Sequence, residues 1–221
     1  MTTIAEKMTE VERKFIVTDT VLAHIRRLAE GRGTPTCRLD IYYDSDDYFL
    51  TARGWWLRTR NGKFELKRRV NGTGLTLAHT EDTDTDTILE ALGITGELGA
   101  DLLERHGVYP FASLYTERET LHIRNLTIDI DTCTAEAGSF TYRVGEIELM
   151  VPEGEVRQAE KDIDVFAQEL GIRYELIRGK LIEYLATQVP KHYRVLVSAG
   201  VIDPNARSAT SCPRFVFSVC R

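Results

Sequence analysis

The sequence predicts an α+β fold built on an antiparallel sheet. Three observations carry this expectation. Short segments in which apolar and charged residues alternate recur from Glu10 to Met150, the period of strands with one charged face. Asn61-Gly62 joins two of them, the dipeptide favoured in two-residue hairpins. Apolar stripes at helical spacing stand between groups of such segments, so helices are inserted among hairpins.

The first strand is expected over Glu10–Val17. A helix follows over Asp19–Glu30, capped by Asp19 and ended by Gly31, with Val21, Leu22, Ile25 and Leu28 as its apolar stripe. Cys37–Tyr43 alternates as a strand. Trp55–Thr59 and Phe64–Val70 form the hairpin turned at Asn61-Gly62, and Leu75–Thr80 follows the flexible turn Asn71-Gly72-Thr73-Gly74. Between Thr83 and Gly107 the leucine spacing is helical. Strands resume as Ser113–Thr116, Glu119–Ile123, Leu126–Asp131 and Phe140–Met150, with Arg124-Asn125 as a tight turn. Ile163, Phe166, Ala167 and Leu170 mark a helix over Glu155–Leu170, and two more are expected over Lys180–Thr187 and Lys191–Ala199, the last starting after Pro190. Residues 1–200 are read as one domain. Residues 201–221 carry Ser, Pro and Arg without period and are expected as a loosely attached tail, with Phe215, Val216 and Phe217 able to dock.

Hydrophobic residues make up 43% and charged residues 28%, a globular balance rather than a disordered one. The net charge of −6 argues against a nucleic-acid partner, which needs a basic face, but leaves room for a local basic pocket. No apolar run is long enough to cross a membrane, and the first residues show no apolar leader. Cys37, Cys133, Cys212 and Cys220 match no zinc spacing, so a cytoplasmic protein with reduced thiols is expected. The five histidines show no metal-ligand spacing and are read as structural.

The informative feature is a set of charged pairs at alternate positions. Glu10, Glu12 and Lys14 share one strand face, opposite Val11, Arg13 and Phe15. Arg58 and Arg60, Glu65 and Lys67, Asp129 and Asp131, and Glu146 and Glu148 repeat the arrangement. Any one pair fits a sheet face exposed to water. Five pairs mixing acids and bases point to a charged concave face, which barrel closure would turn into a shared interior. Arg58, Arg60, Lys67, Lys14, Arg118 and Lys180 then repel one another unless an anion sits among them, and a polyphosphate meets that need. Carboxylates beside phosphates commonly hold Mg²⁺, whose octahedral oxygen shell is shared between protein and phosphate. Phosphoryl transfer needs this combination of positioning and neutralised charge.

These residues, in this order, resemble the CYTH superfamily of triphosphate tunnel metalloenzymes. The resemblance rests on Glu10-x-Glu12-x-Lys14, Arg58-x-Arg60, Glu65-Leu66-Lys67, Asp129-x-Asp131 and Glu146-x-Glu148, and runs from about Thr9 to Ala199. Tyr42-Tyr43-Asp44, Trp56-Leu57-Arg58, Gly179-Lys180-Leu181-Ile182 and Pro190-x-x-Tyr193 are similar to its thiamine-triphosphatase branch. The resemblance implies a closed antiparallel β-barrel, or tunnel, of about eight strands with flanking helices. It also implies an enzyme that uses Mg²⁺ to hydrolyse thiamine triphosphate, and a monomer is expected. Lys14, Arg58, Arg60, Lys67, Arg118 and Lys180 would hold the triphosphate. Glu10, Glu12, Asp129, Glu146 and Glu148 would hold metal, with Glu10, Glu12, Lys14 and Glu148 catalytic. Trp56 would stack on the thiamine rings, and Glu81 and Asp131 are further members. Activity on inorganic triphosphate or a nucleoside triphosphate, and a non-catalytic polyphosphate-binding module, are the competing readings. Thr80-Glu81-Asp82, where the family often carries an aromatic residue beside the acid, departs from the pattern.

Overall fold

In the computed structural model, eight strands close into one antiparallel barrel in the order β1-β5-β4-β3-β2-β6-β7-β8. The structure describes residues 8–31, 33, 35–70, 76–136, 138 and 140–209. The strands are β1 (Met8–Phe15), β2 (Thr36–Ser45), β3 (Trp55–Arg60), β4 (Lys63–Val70), β5 (Thr76–Asp82), β6 (Val108–Ile123), β7 (Leu126–Ala135) and β8 (Thr141–Pro152). Among the described residues six α-helices flank them: α1 (Asp19–Leu28), α2 (Thr85–Leu92), α3 (Ala100–Arg105), α4 (Val156–Glu169), α5 (Lys180–Gln188) and α6 (Pro190–Ser198). The expected barrel with flanking helices is therefore present. No helix among the described residues is long and apolar enough to cross a membrane.

Alternation decides which side chains go where. On β1, Val11 and Phe15 point outward into an apolar layer with α1 and α4, including Ile25, Ile128, Ile147, Ile163 and Phe166. Outward residues of β3 and β4, Leu57 and Leu66, pack with Ile88 of α2 and Leu103 of α3. The inward faces of β2, β6, β7 and β8 are apolar toward one end. There Tyr42, Leu114, Cys133, Tyr142 and Val144 pack with Leu181 and Leu185 of α5 and Leu196 of α6. That end of the barrel is plugged, and the charged residues occupy the remainder of the interior. Gly145 lies opposite Phe15 in the β1–β8 register, and an added Cβ would sit 2.1 Å from the Phe15 ring. The glycine thus leaves the space that lets this ring close the outer layer.

The local turns follow their chemistry. Asn61 and Gly62 both adopt positive φ (49° and 82°), the signature of the hairpin turn expected between β3 and β4. Arg124 also has positive φ, 58°, at the β6–β7 turn. Thr18 rather than Asp19 caps α1, its Oγ1 accepting from the Val21 amide at 3.2 Å. Asp19 lies one residue later, in the first turn, where its charge favours the helix dipole. The helix ends at Leu28, short of Gly31.

Three expectations need correction. Ser113–Thr116 and Glu119–Ile123 belong to one 16-residue strand, β6. Glu117 and Arg118, between the two expected strands, continue the alternation, with Arg118 facing inward to carboxylates. Residues 201–209, expected as the start of a loose tail, are docked. Ile202, Ala206 and Ala209 are buried, the Arg207 amide donates to the Leu176 carbonyl (2.8 Å), and the Ala209 amide donates to Tyr142 Oη (3.1 Å). These bonds to loop and strand groups leave no periodic trace in sequence. Phe215, Val216 and Phe217, like the turn at 71–74, lie outside the described residues. Cys133 is free and buried, but Cys37 is disulfide-bonded, so the expectation of reduced thiols does not hold there.

Candidate active site

The charged pairs meet inside the barrel. Register sets Glu12 opposite Glu148, Lys14 opposite Glu146, Asp129 opposite Glu146 and Arg118 opposite Asp131. On the other wall Arg58 faces Glu65, Arg60 is opposite Asp40 on the β2 side, and Lys67 stands between Trp56 and Glu81. Every residue assigned to the site by sequence lines one cavity of about 560 Å³: Glu10, Glu12, Lys14, Trp56, Arg58, Arg60, Lys67, Arg118, Asp129, Glu146, Glu148 and Lys180. Glu81 lines it too, and Asp131 lies directly behind Arg118 and Lys180. Arg13 points outward, as alternation requires, and is buried against Asp164 (2.8 Å) and the Arg173 carbonyl (3.2 Å).

The cations are held by carboxylates. Arg118 is the hub of one wall. It grips Asp131 with two nitrogens (2.6 and 2.7 Å), pairs with Asp129, and reaches Glu146 at 3.1 Å. Lys14 bridges Glu12 (2.5 Å) and Glu146 (3.1 Å), and Lys67 bridges Glu10 (2.9 Å) and Glu12 (3.1 Å). Across the cavity Arg58 meets Glu65 and Glu81, each at 2.8 Å, and Arg60 meets Asp40 at 2.9 Å. Lys180, at the first position of α5, reaches Asp131 (3.1 Å) and Asp40 (3.5 Å). Gly179, the residue before it, leaves room for Lys14, since a Cβ there would lie 2.7 Å from Lys14 Cε.

Not every acid is neutralised. Oxygens of Glu10, Glu12 and Glu148 lie within 4.8 Å of one another, as do those of Asp129, Glu146 and Glu148, and Glu148 belongs to both triplets. Burial, and then the charges of Glu146, Glu10 and Asp129, push Glu148 well above the ordinary carboxylate range. Burial raises Glu10 to about 7, against the pull of Lys67, and the neighbouring Glu12 adds to the rise. Glu12 is also buried, but Lys14 and Lys67 outweigh that and hold it well below its usual value. The two carboxylates titrate as a pair, which takes up a proton as the pH falls through about 7. Asp131 is held down to about 2, because Lys180 and Arg118 overcome its burial. An all-oxygen donor set of this kind suits a hard divalent cation.

Four inward residues escaped the sequence reading. Asp40 is fully buried and anchors Arg60 and Lys180. Tyr42, two residues on, lines the cavity beside it, as does Arg38 two residues before. His79, expected to be structural, also lines the cavity. Burial, helped by the Lys67 charge, lowers it to about 3, so it is neutral, and its Nδ1 has no hydrogen-bond partner. Glu12 lies 3.7 Å from that nitrogen, which a neutral ring does not turn into an ion pair. Alternation would have found all four, since Arg38-x-Asp40-x-Tyr42 and His79-x-Glu81 repeat the two-residue period of the recognised pairs.

One part of the cavity is apolar. Trp56 stands there with Ile177, Leu181 and Ile182 from the approach to α5 and its first turn, and with Val201 and Ala206 from the docked C-terminal segment. Trp55 faces the opposite way, packing with the outer α2–α3 layer under the Arg68 guanidinium.

A family model described as the CYTH domain matches residues 8–175. The chain belongs to the CYTH family. The match covers all eight strands of the CYTH barrel and its charged rows, and ends just before the segment that supplies Lys180 and most of the apolar wall. The chain is 32% identical to a thiamine-triphosphatase of Macaca fascicularis and 30% identical to the Homo sapiens thiamine-triphosphatase, in each case over 89% of this chain and 93% of the relative. The PH1819 protein of Pyrococcus horikoshii OT3 shares the fold at a TM-score of 0.55 and 24% identity, covering 81% of this chain and 99% of that one.

Proposed function

We propose that this CYTH protein hydrolyses thiamine triphosphate to thiamine diphosphate and phosphate, with Mg²⁺. The observation that carries the reading is a single cavity with a charged part and an apolar part meeting at Trp56. A triphosphate ester of an aromatic cation has the same division. Relatives named thiamine-triphosphatase support the same substrate.

In this reading Lys14, Arg58, Arg60, Lys67, Arg118 and Lys180 bind the phosphate chain. Their carboxylate partners set where each cation points before the ligand arrives, so little reorganisation is needed when charge moves. Water attacks the terminal phosphorus, its bond to the bridging oxygen breaks, and the arginines neutralise the charge growing on the departing diphosphate. Glu10, Glu12, Asp129, Glu146 and Glu148 would hold Mg²⁺, which supplies charge shielding on phosphate oxygens and a more acidic water. Trp56 offers its indole face to the cationic thiazolium. A non-catalytic phosphate-binding module would need the basic wall alone, whereas the two acid triplets fit an enzyme.

The test is turnover of thiamine triphosphate, inorganic triphosphate and ATP side by side, with and without Mg²⁺. Equal rates on all three, or a preference for inorganic triphosphate, would reject the thiamine ester as the substrate. Trp56→Ala should lower the ratio of kcat/KM for thiamine triphosphate over inorganic triphosphate by about ten-fold, the scale of a desolvated cation–π contact. An unchanged ratio would remove Trp56 from substrate recognition.

The acids also predict how metal and pH act together. Glu10 titrates near 7 in the folded chain against an ordinary value of 4.5. Folding therefore favours its protonated form, a contribution complete below pH 4.5 and lost as the pH rises through 7. Glu148 shifts the same way. A divalent ion needs both as carboxylates and competes with those protons. Mg²⁺ should accordingly raise Tm much more at pH 8 than at pH 5.5. A gain of equal size at both, measured by thermal melts, would show that these acids are not its ligands.

A further inference from the structure

We propose that Arg38 is a phosphate-binding residue: its guanidinium takes the terminal phosphate of the substrate at the part of the cavity remote from Trp56, and holds the phosphate after cleavage. The inference rests on the triphosphatase reading above and names a residue that reading does not use.

Arg38 lies on the inward face of β2 and lines the cavity. Lys14, Lys67, Arg58, Arg60, Arg118 and Lys180 each have a carboxylate within 4.0 Å. Arg38 has no ion pair and no side-chain hydrogen bond among the described residues. Register shows what surrounds it instead. Arg38 is opposite Thr116 on β6, which places Arg118, opposite Thr36, on the diagonal. On the other side Asp40 is opposite Arg60, so Arg60 occupies the other diagonal. Diagonal neighbours on one sheet face stand roughly 7–8 Å apart, within reach of long side chains. A half-buried guanidinium is thus flanked by two others whose charges are already engaged, an arrangement relieved by an anion. Burial first, and then Arg118 and Arg60, pull its affinity for a proton down, with Asp129 and Asp131 only partly opposing.

The direction of the ligand follows from the same register. Between Arg38 and Trp56 the β2–β3 wall carries the rungs Asp40–Arg60 and Tyr42–Arg58. The two residues are therefore three inward positions apart, roughly 20 Å at strand rise. A ligand with its ring on Trp56 and its phosphates over Arg58 and Arg60 runs toward Arg38, which meets the end of the chain. A planar fork suits a terminal phosphate, which presents several free oxygens.

The experiment is calorimetric titration of inorganic tripolyphosphate into the unaltered chain, Arg38→Gln and Arg38→Ala, in metal-free buffer and again with Mg²⁺. Thermal melts of each ligand-free protein accompany it. Both variants should bind about ten-fold more weakly, the scale of one charge-assisted phosphate contact. Their ligand-free Tm should hold or rise, because a crowded like charge has gone. Affinities within two-fold of the unaltered chain would overturn the assignment of Arg38 alone. A lowered ligand-free Tm, or a failure of both variants to fold, would also overturn it by marking a structural role. Absence of tripolyphosphate binding by the unaltered chain under either condition would overturn the tunnel reading together with it.

Discussion

Glu148→Gln should reduce turnover by about 10²–10³-fold while leaving metal-free tripolyphosphate binding as tight or tighter. Glu148 is the carboxylate shared by both oxygen triplets, so one substitution leaves each with two acids. The amide keeps the shape but cannot ionise, so it cannot become the carboxylate that a divalent ion needs. The Glu148 side chain sits at the cavity wall with little exposure, 17%, and among the described residues only Arg118, at 3.9 Å, approaches as an ion-pair partner. Losing it therefore breaks no strong ion pair, and the fold should tolerate the change. Anion affinity should not fall, because the substitution removes no cation from the wall that meets the phosphates. Parallel measurement of kcat and of the tripolyphosphate dissociation constant separates the effects. Turnover within a few-fold of the unaltered chain would remove Glu148 from the machinery, and a matching loss of binding would make it a substrate-holding residue instead.

Arg118→Ala should cost about 3–5 kcal/mol of folding stability at pH 8, the penalty for removing one partner from a buried charge cluster. Arg118 holds Asp131, which is fully buried, together with Asp129 and Glu146. Without it three carboxylates share one low-dielectric wall, opposed among the described residues by Lys180, Lys14 and the more loosely placed Arg38. Such groups escape by taking up protons. Asp129 is already raised by burial, with Asp131 and Glu146 adding to the rise, and the variant should raise it further. A raised carboxylate contributes stability that is present at low pH and lost as the pH climbs, so the penalty should shrink at pH 5.5. Urea unfolding at the two pH values measures both. A loss below about 1 kcal/mol, as for a surface pair, or one equal at both pH values, would contradict the hub role.

Much of the site was legible because a strand carries information at every second residue. Glu10-x-Glu12-x-Lys14 and Glu146-x-Glu148 state which side chains share a face. Opposite registers then bring Glu12 to Glu148 and Lys14 to Glu146. Arg38, Asp40, Tyr42 and His79 obey the same period, yet a lone cation, acid, phenol or imidazole at such a position reads as ordinary surface or core. The continuity of β6 through Glu117-Arg118 rests on inward partners of Arg118 that lie 11 to 28 residues away in sequence. The docking of residues 201–209 left no periodic signal, since buried Ile202, Ala206 and Ala209 and the hydrogen bonds to Leu176, Arg178 and Tyr142 follow no repeat along the chain.

By itself the sequence determined the membership of each charged row, the hairpin at Asn61-Gly62, the helical stripes and the family resemblance, because these follow from spacing along the chain. Only the tertiary structure decided that the rows face one another. A two-residue period distinguishes the two faces of a strand but is silent on which becomes the inside. Closure of eight strands makes that choice by burying Val11, Leu57, Leu66 and Ile128 under the helices. It also decided which acids are pushed up in pKa and that Arg38 has no ion pair among the described residues, because both depend on charges brought together from distant segments into a site with little water.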